Sequence, residues 1–134
     1  MNSLWLYLDS SAMVKLVVVE AESDALQAFI VNWRRRISSS LARIEVPRAV
    51  RRLSPDSTVQ ARAERLVDDT DQVPLDQDVP RDAARLAPVP LRSLDAIHLA
   101  SALSLGANLG GIVTYDDRLA EAARTAGVSV LQPR

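Results

Sequence analysis

Leu4-Trp5-Leu6-Tyr7-Leu8 is an unbroken apolar run closed by Asp9, the pattern of a strand buried on both faces. Ser10 or Ser11 is placed to cap a helix that follows through Val19, and a second helix is expected over 22–34. Arg36-Ile37-Ser38-Ser39 is a weak strand. From Ser40 onward Ala42, Val46, Ala49, Val50 and Leu53 recur at helical spacing and define one apolar face. Ser54-Pro55-Asp56 ends that helix and opens another reaching Asp68. Val73-Pro74-Leu75 predicts a poor strand, since proline cannot donate to a ladder. Residues 78–86 read as a helix and Ala87-Pro88-Val89-Pro90 as a rigid connector. Ser93 then caps a helix over 94–105 that is apolar nearly all round and is expected to be buried. The run 110–115 is another buried strand. Asp116 opens a helix to Ala126, Gly127 ends it, and 128–131 is the last strand.

Strand and helix alternate throughout, which predicts an α/β fold: a central parallel sheet of about five strands flanked by helices in three layers. At 134 residues the chain is expected to form a single domain over 1–134. Only Trp5, Tyr7, Phe29, Trp33 and Tyr115 are aromatic, so Leu, Val, Ile and Ala must build the core. With no cysteine, thiolate metal sites, iron–sulfur clusters and cysteine nucleophiles are excluded. A single histidine excludes a multi-histidine site. Carboxylates and arginines remain to carry chemistry.

The net charge of −1 conceals a division. Residues 34–65 hold nine arginines against Glu45, Asp56 and Glu64, whereas Asp68, Asp69, Asp71, Asp76, Asp78 and Asp82 form an acidic run. Such a split suits a local polyanion-binding face, although a solvated helix surface explains it equally well. Neither a signal sequence nor a membrane span is apparent, so a soluble, cytoplasmic protein is expected. The stretch Ala12 to Val19 is more apolar than one buried face requires, which predicts cover from a second copy or another protein.

In a parallel sheet, functional groups collect at the carboxyl ends of the strands. Asp9 directly follows the first strand, Asp116 follows the fourth, Asp95 lies in the first turn of the buried helix, and Glu45 lies early in the helix after the second strand. Four carboxylates share a site only if something cancels their repulsion. A hard divalent cation, Mg²⁺ or Mn²⁺, is the simplest answer and equips a site for phosphodiester hydrolysis. Each acid also has a structural explanation. Asp9 and Asp116 suit helix N-termini, and Glu45 can pair with Arg48. His98, one turn from Asp95, is placed to be a ligand or a base, but a buried structural histidine is the favoured reading.

Leu8-Asp9-Ser10-Ser11-Ala12, Arg43-Ile44-Glu45-Val46 with Arg48-Ala49, Leu94-Asp95-Ala96-Ile97-His98-Leu99-Ala100, and Val113-Thr114-Tyr115-Asp116 together resemble the motifs of PIN-domain proteins. More narrowly they resemble VapC-type toxins of bacterial toxin–antitoxin pairs. The resemblance spans essentially the whole chain. It implies a Mg²⁺-dependent endoribonuclease that cleaves cellular RNA and is neutralised by a cognate antitoxin. Asp9, Glu45, Asp95 and Asp116 match the family's acidic, metal-holding set, and Ser11 and Thr114 match supporting hydroxyl positions. His98 lies outside that set, and Asp117 has no assigned role. Arg43, Arg48, Arg51 and Arg52, on the helix of Glu45, are placed to hold RNA phosphates, and a homodimer is expected.

Pro47 departs from the pattern. Inside a helix starting near Ser40 it removes the bond to the carbonyl of Arg43, at a cost of ~3 kcal/mol, and predicts a kink beside Glu45. Two rival readings remain. A phosphoacceptor domain would need a lysine at the site, and the lone Lys15 lies inside the first helix. A catalytically inactive PIN scaffold that binds RNA or protein keeps the same motifs.

Overall fold

The five strands form one parallel sheet in the order β3-β2-β1-β4-β5, with β1 (Trp5–Leu8) at its centre. The computed structural model describes residues 3–134. The other strands are β2 (Arg35–Ser39), β3 (Asp71–Val73), β4 (Leu109–Val113) and β5 (Val130–Leu131). The helices are α1 (Ser10–Lys15), α2 (Ser23–Ile30), α3 (Ala42–Leu53), α4 (Ser57–Asp69), α5 (Asp78–Arg85), α6 (Ser93–Leu103) and α7 (Asp117–Thr125).

The continuous apolar run in β1 is used on both faces. Leu6 and Leu8 enter a core shared with Ala12, Met13, Leu26, Val46, Val50 and Val67, whereas Tyr7 enters the opposite core with Leu99, Ile112 and Leu119. Period-2 alternation therefore sends adjacent residues into different layers. Helices α1 to α4 cover one face and α5 to α7 the other. The chain steps from β1 outward to β2 and β3, then returns to place β4 against the other edge of β1. The order reverses between β1 and β4, and in open parallel sheets the crevice at such a reversal is where ligands bind.

Several boundaries differ from the sequence expectation. The first helix stops at Lys15, short of Val19, and its N-cap is Asp9 rather than a serine. Val14 and Val17 are buried in the molecule's own core, so the apolar excess that predicted a covering partner shrinks to Val18, which packs on that core, and the exposed Val19. Likewise Arg92, not Ser93, occupies the cap position of α6. The third strand ends at Val73, before Pro74, as the missing N–H requires. The helix α3 starts at Ala42 and continues through Pro47 to Leu53 as one element. A register shift between Trp5 and Leu6 sets β1 against β4, where Gly110 allows close approach. A Cβ there would lie 2.6 Å from the Trp33 ring.

Candidate active site

Asp9 sits immediately past β1 at the reversal point and is only 4% exposed. Its Oδ1 accepts from the Ala12 N–H at 2.9 Å and from the Ser11 hydroxyl at 2.7 Å, and its Oδ2 accepts from the Thr114 hydroxyl at 2.5 Å. Burial pushes this carboxyl above its usual value, and His98 together with these three donors opposes the rise. The Thr114 hydroxyl also accepts from the Asp116 N–H at 3.1 Å. The Ser11 hydroxyl accepts from the Tyr115 N–H at 3.4 Å. Two small hydroxyls thus stitch the loop after β4 onto the carboxylate after β1.

Asp116 caps α7, with Oδ1 accepting from the N–H groups of Arg118 and Leu119 at 2.9 and 3.1 Å. Its side chain is exposed, so capping leaves the second oxygen free. Asp95 occupies the first turn of α6 and is half-buried. Among the described residues no donor reaches its carboxylate. Burial, then Asp116, raise its pKa, with smaller contributions from Asp9 and Glu45. Asp95 therefore feels all three other acids.

Glu45, in the first turn of α3, is half-buried. Its Oε1 accepts from the Ser10 hydroxyl at 2.7 Å and meets His98 Nε2 at 2.7 Å. Burial alone would raise this carboxyl, but the His98 and Ser10 hydrogen bonds hold it below its ordinary value. The sequence suggested Arg48 as a partner, whereas the contact found is with His98 Nε2. His98 is buried, as expected, yet it touches the acidic set instead of standing apart from it. Ser10 and Tyr7 are the contributors that sequence reasoning missed. For His98, the three-residue spacing to Asp95 puts both on one side of α6 and raises a ligand or base role, but sequence alone favours a structural one.

The arginines divide. Arg43 is committed to Asp68 at 2.9 Å and to Gln72 at 3.0 Å. Arg48, Arg51 and Arg52 are exposed and make no ion pair among the described residues. Glu45, Arg48 and Arg52 share a face of α3 at i, i+3 and i+7. Lys15 is neutralised by Glu22 at 2.7 Å and packs over the Tyr115 ring. Asp117 lines a separate cavity of about 610 Å³ beside Pro88 and Leu91.

The donor set suits a hard cation. Asp95 has both oxygens without donors, while Asp116 and Glu45 each keep one. Among the described residues no three of these groups close into a ready-made cage. Carboxylate oxygens without protein donors are the ligand chemistry that hard cations such as Mg²⁺ prefer.

The PIN domain family matches residues 6–125. Ribonuclease VapC46 of Mycobacterium tuberculosis is 46% identical over 128 residues, covering 96% of this chain and 97% of that one. Ribonuclease VapC35 of the same species is 42% identical over 138 residues, covering 96% of each. The crystal structure of Mycobacterium tuberculosis VapC20, a sarcin-ricin loop cleaving toxin, superposes with a TM-score of 0.74 at 15% identity. It covers 96% of this chain and 99% of that one, a likeness of fold.

Proposed function

Since the chain belongs to the PIN domain family, we propose that it is an endoribonuclease toxin that hydrolyses phosphodiester bonds of cellular RNA with Mg²⁺ or Mn²⁺. The ribonuclease assignment rests on the near full-length similarity to VapC ribonucleases. One observation carries the site. Asp95 has no donor, and its carboxyl is pushed up by burial and by three neighbouring acids, a state that a bound cation relieves. Asp9, Glu45, Asp95 and Asp116 would hold the ion, which when bound activates a water and stabilises charge on the scissile phosphate.

The chain's own residues divide the remaining work. Ser11 and Thr114 fix Asp9 through both of its oxygens, so it presents one orientation to the site. Ser10 holds Glu45 through one oxygen, Oε1. Arg48 and Arg52 extend from the Glu45 face of α3 and would bind RNA phosphates, with Arg51 on the same helix. Arg43 could join them only by leaving Asp68. The implied partners are a cognate antitoxin and a second copy of the chain. No helix of the described residues is long and apolar enough to cross a membrane, and a cytoplasmic site of action follows from the proposed target.

The test is cleavage of labelled RNA by purified protein freed of its antitoxin. Cleavage with Mg²⁺ or Mn²⁺ and none in excess EDTA is expected. Full cleavage in EDTA, with contaminating nuclease excluded, ends the metal assignment. Binding without cleavage under any divalent cation would point to an inactive scaffold.

A further inference from the structure

Beneath the acids, the core holds a line of polar side chains that carboxylate chemistry alone does not require. Tyr7 is fully buried and His98 is 3% exposed. The Tyr7 hydroxyl lies 2.8 Å from His98 Nδ1, and His98 Nε2 lies 2.7 Å from Glu45 Oε1. The buried hydroxyls of Ser38 and Ser101 face the same phenol and find no other partner. Placing an imidazole, a phenol and two hydroxyls in an aliphatic core is costly unless their hydrogen bonds serve a purpose.

We propose that His98 is a positioning residue of the RNA-cleaving site: Tyr7 anchors the ring at Nδ1, and the Nε2–H donates to Glu45 Oε1 and fixes that carboxylate in one orientation. This role rests on the ribonuclease reading above. Burial drives the Tyr7 phenol far above its ordinary value, so it keeps its proton and stays a hydrogen-bonding partner for Nδ1. A carboxylate can only accept, so Nε2 carries the proton of its 2.7 Å contact with Glu45 Oε1, and a bare Nε2 would set its lone pair against the carboxylate. Ser10, 3.3 Å from the same nitrogen and 2.7 Å from Oε1, closes the contact from the α1 side. Glu45 comes from α3, His98 from α6 and Tyr7 from β1, so the line locks elements from both layers onto the sheet. It leaves Glu45 Oε2 without a protein donor. The same arrangement, a buried partner orienting the group that serves a metal, sets ligand direction in metalloenzymes generally.

His98 is the chain's single histidine, so nitrogen NMR of labelled, metal-free protein reports one imidazole without ambiguity. In wild type Nε2 should carry a proton. In Tyr7→Phe, which keeps the core-filling ring and loses only the hydroxyl, the Nδ1 resonance should shift. There kcat for RNA cleavage should fall by about tenfold with KM little changed. His98→Gln, whose amide nitrogen reaches the Nε2 position, should retain more activity than His98→Leu. A wild-type Nε2 without a proton overturns the proposal, as does a Tyr7→Phe protein with unaltered kcat. Active wild type with an unaffected Tyr7→Phe removes this role alone. Wild type that cleaves no RNA with any divalent cation removes the role and the ribonuclease reading together. The NMR result, obtained without metal or RNA, keeps the two failures apart.

Discussion

The Thr114 hydroxyl donates to Asp9 across 105 positions of sequence, at 2.5 Å, and accepts the Asp116 N–H in return. One fully buried side chain therefore sets the aim of one acid and the backbone of another. Thr114→Val keeps the shape and removes both bonds. Losing a buried hydrogen bond to a charged group should cost about 1.5–3 kcal/mol. Urea denaturation should show that loss, and RNA cleavage should fall with it. A Thr114→Val protein of wild-type activity would mean that Asp9 does not need this partner.

Pro47 supplies a second test. It denies the Arg43 carbonyl its intrahelical donor, yet α3 runs on unbroken and Glu45 is held from outside by Ser10 and His98. Pro47→Ala should restore the bond. Against the ~3 kcal/mol that an interior proline costs, the unfolded chain recovers about 0.4–1 kcal/mol of freedom, so a net stabilisation is expected. Cleavage should be unchanged. A marked loss of activity would show that the proline shapes the placement of Glu45.

The arginines of α3 make separable predictions. Replacing the unpaired Arg48 and Arg52 by Ala should weaken RNA binding and flatten its dependence on salt, because each lost phosphate contact releases fewer counterions. Arg43→Ala should change the salt slope far less, since Arg43 is already paired with Asp68. Equal slopes for wild type and Arg48→Ala/Arg52→Ala would return these residues to the solvated surface.

The sheet was legible because each strand announces itself locally: Leu4 to Leu8 is apolar without a break, and Asp9 and Asp116 sit where strands end. The parallel arrangement followed from the alternation of elements, and the fourfold motif pattern led to the family that the full-length matches bear out. Helix caps were less legible. Asp9, Ser10 and Ser11 are all good caps by residue type, and the choice of Asp9 depends on the path of the strand before it. The extent of α1 was overestimated because Val17 is apolar for reasons of burial in a turn, not of helix periodicity. His98 was read as structural since nothing local says what a buried ring faces. Its partners Tyr7 and Glu45 lie 91 and 53 residues away. Such contacts are products of topology.

The electrostatics of Asp95 give the most discriminating prediction. Burial and then Asp116 raise its pKa, and burial raises that of Asp9. A carboxyl whose pKa is raised by folding binds more protons in the folded state, so metal-free protein loses stability as pH rises. That contribution is fully present below the ordinary carboxylate range and is lost as pH climbs through the raised values. Glu45, held low, acts oppositely, and its contribution is lost only as pH falls through its lowered value. Asp95→Asn replaces the carboxyl with a neutral group of nearly the same shape. Without metal, the variant should match wild type in acid and equal or exceed it near neutrality, the gap widening with pH. With Mg²⁺, its RNA cleavage should drop by several orders of magnitude, because the charge that holds the ion is gone. If Asp95 served only its own helix, Asn would cost a few tenths of a kcal/mol at neutral pH and leave cleavage intact. Thermal melts across pH without metal, and cleavage with Mg²⁺ on the same preparations, separate the two accounts. An active Asp95→Asn protein would remove Asp95 from the site.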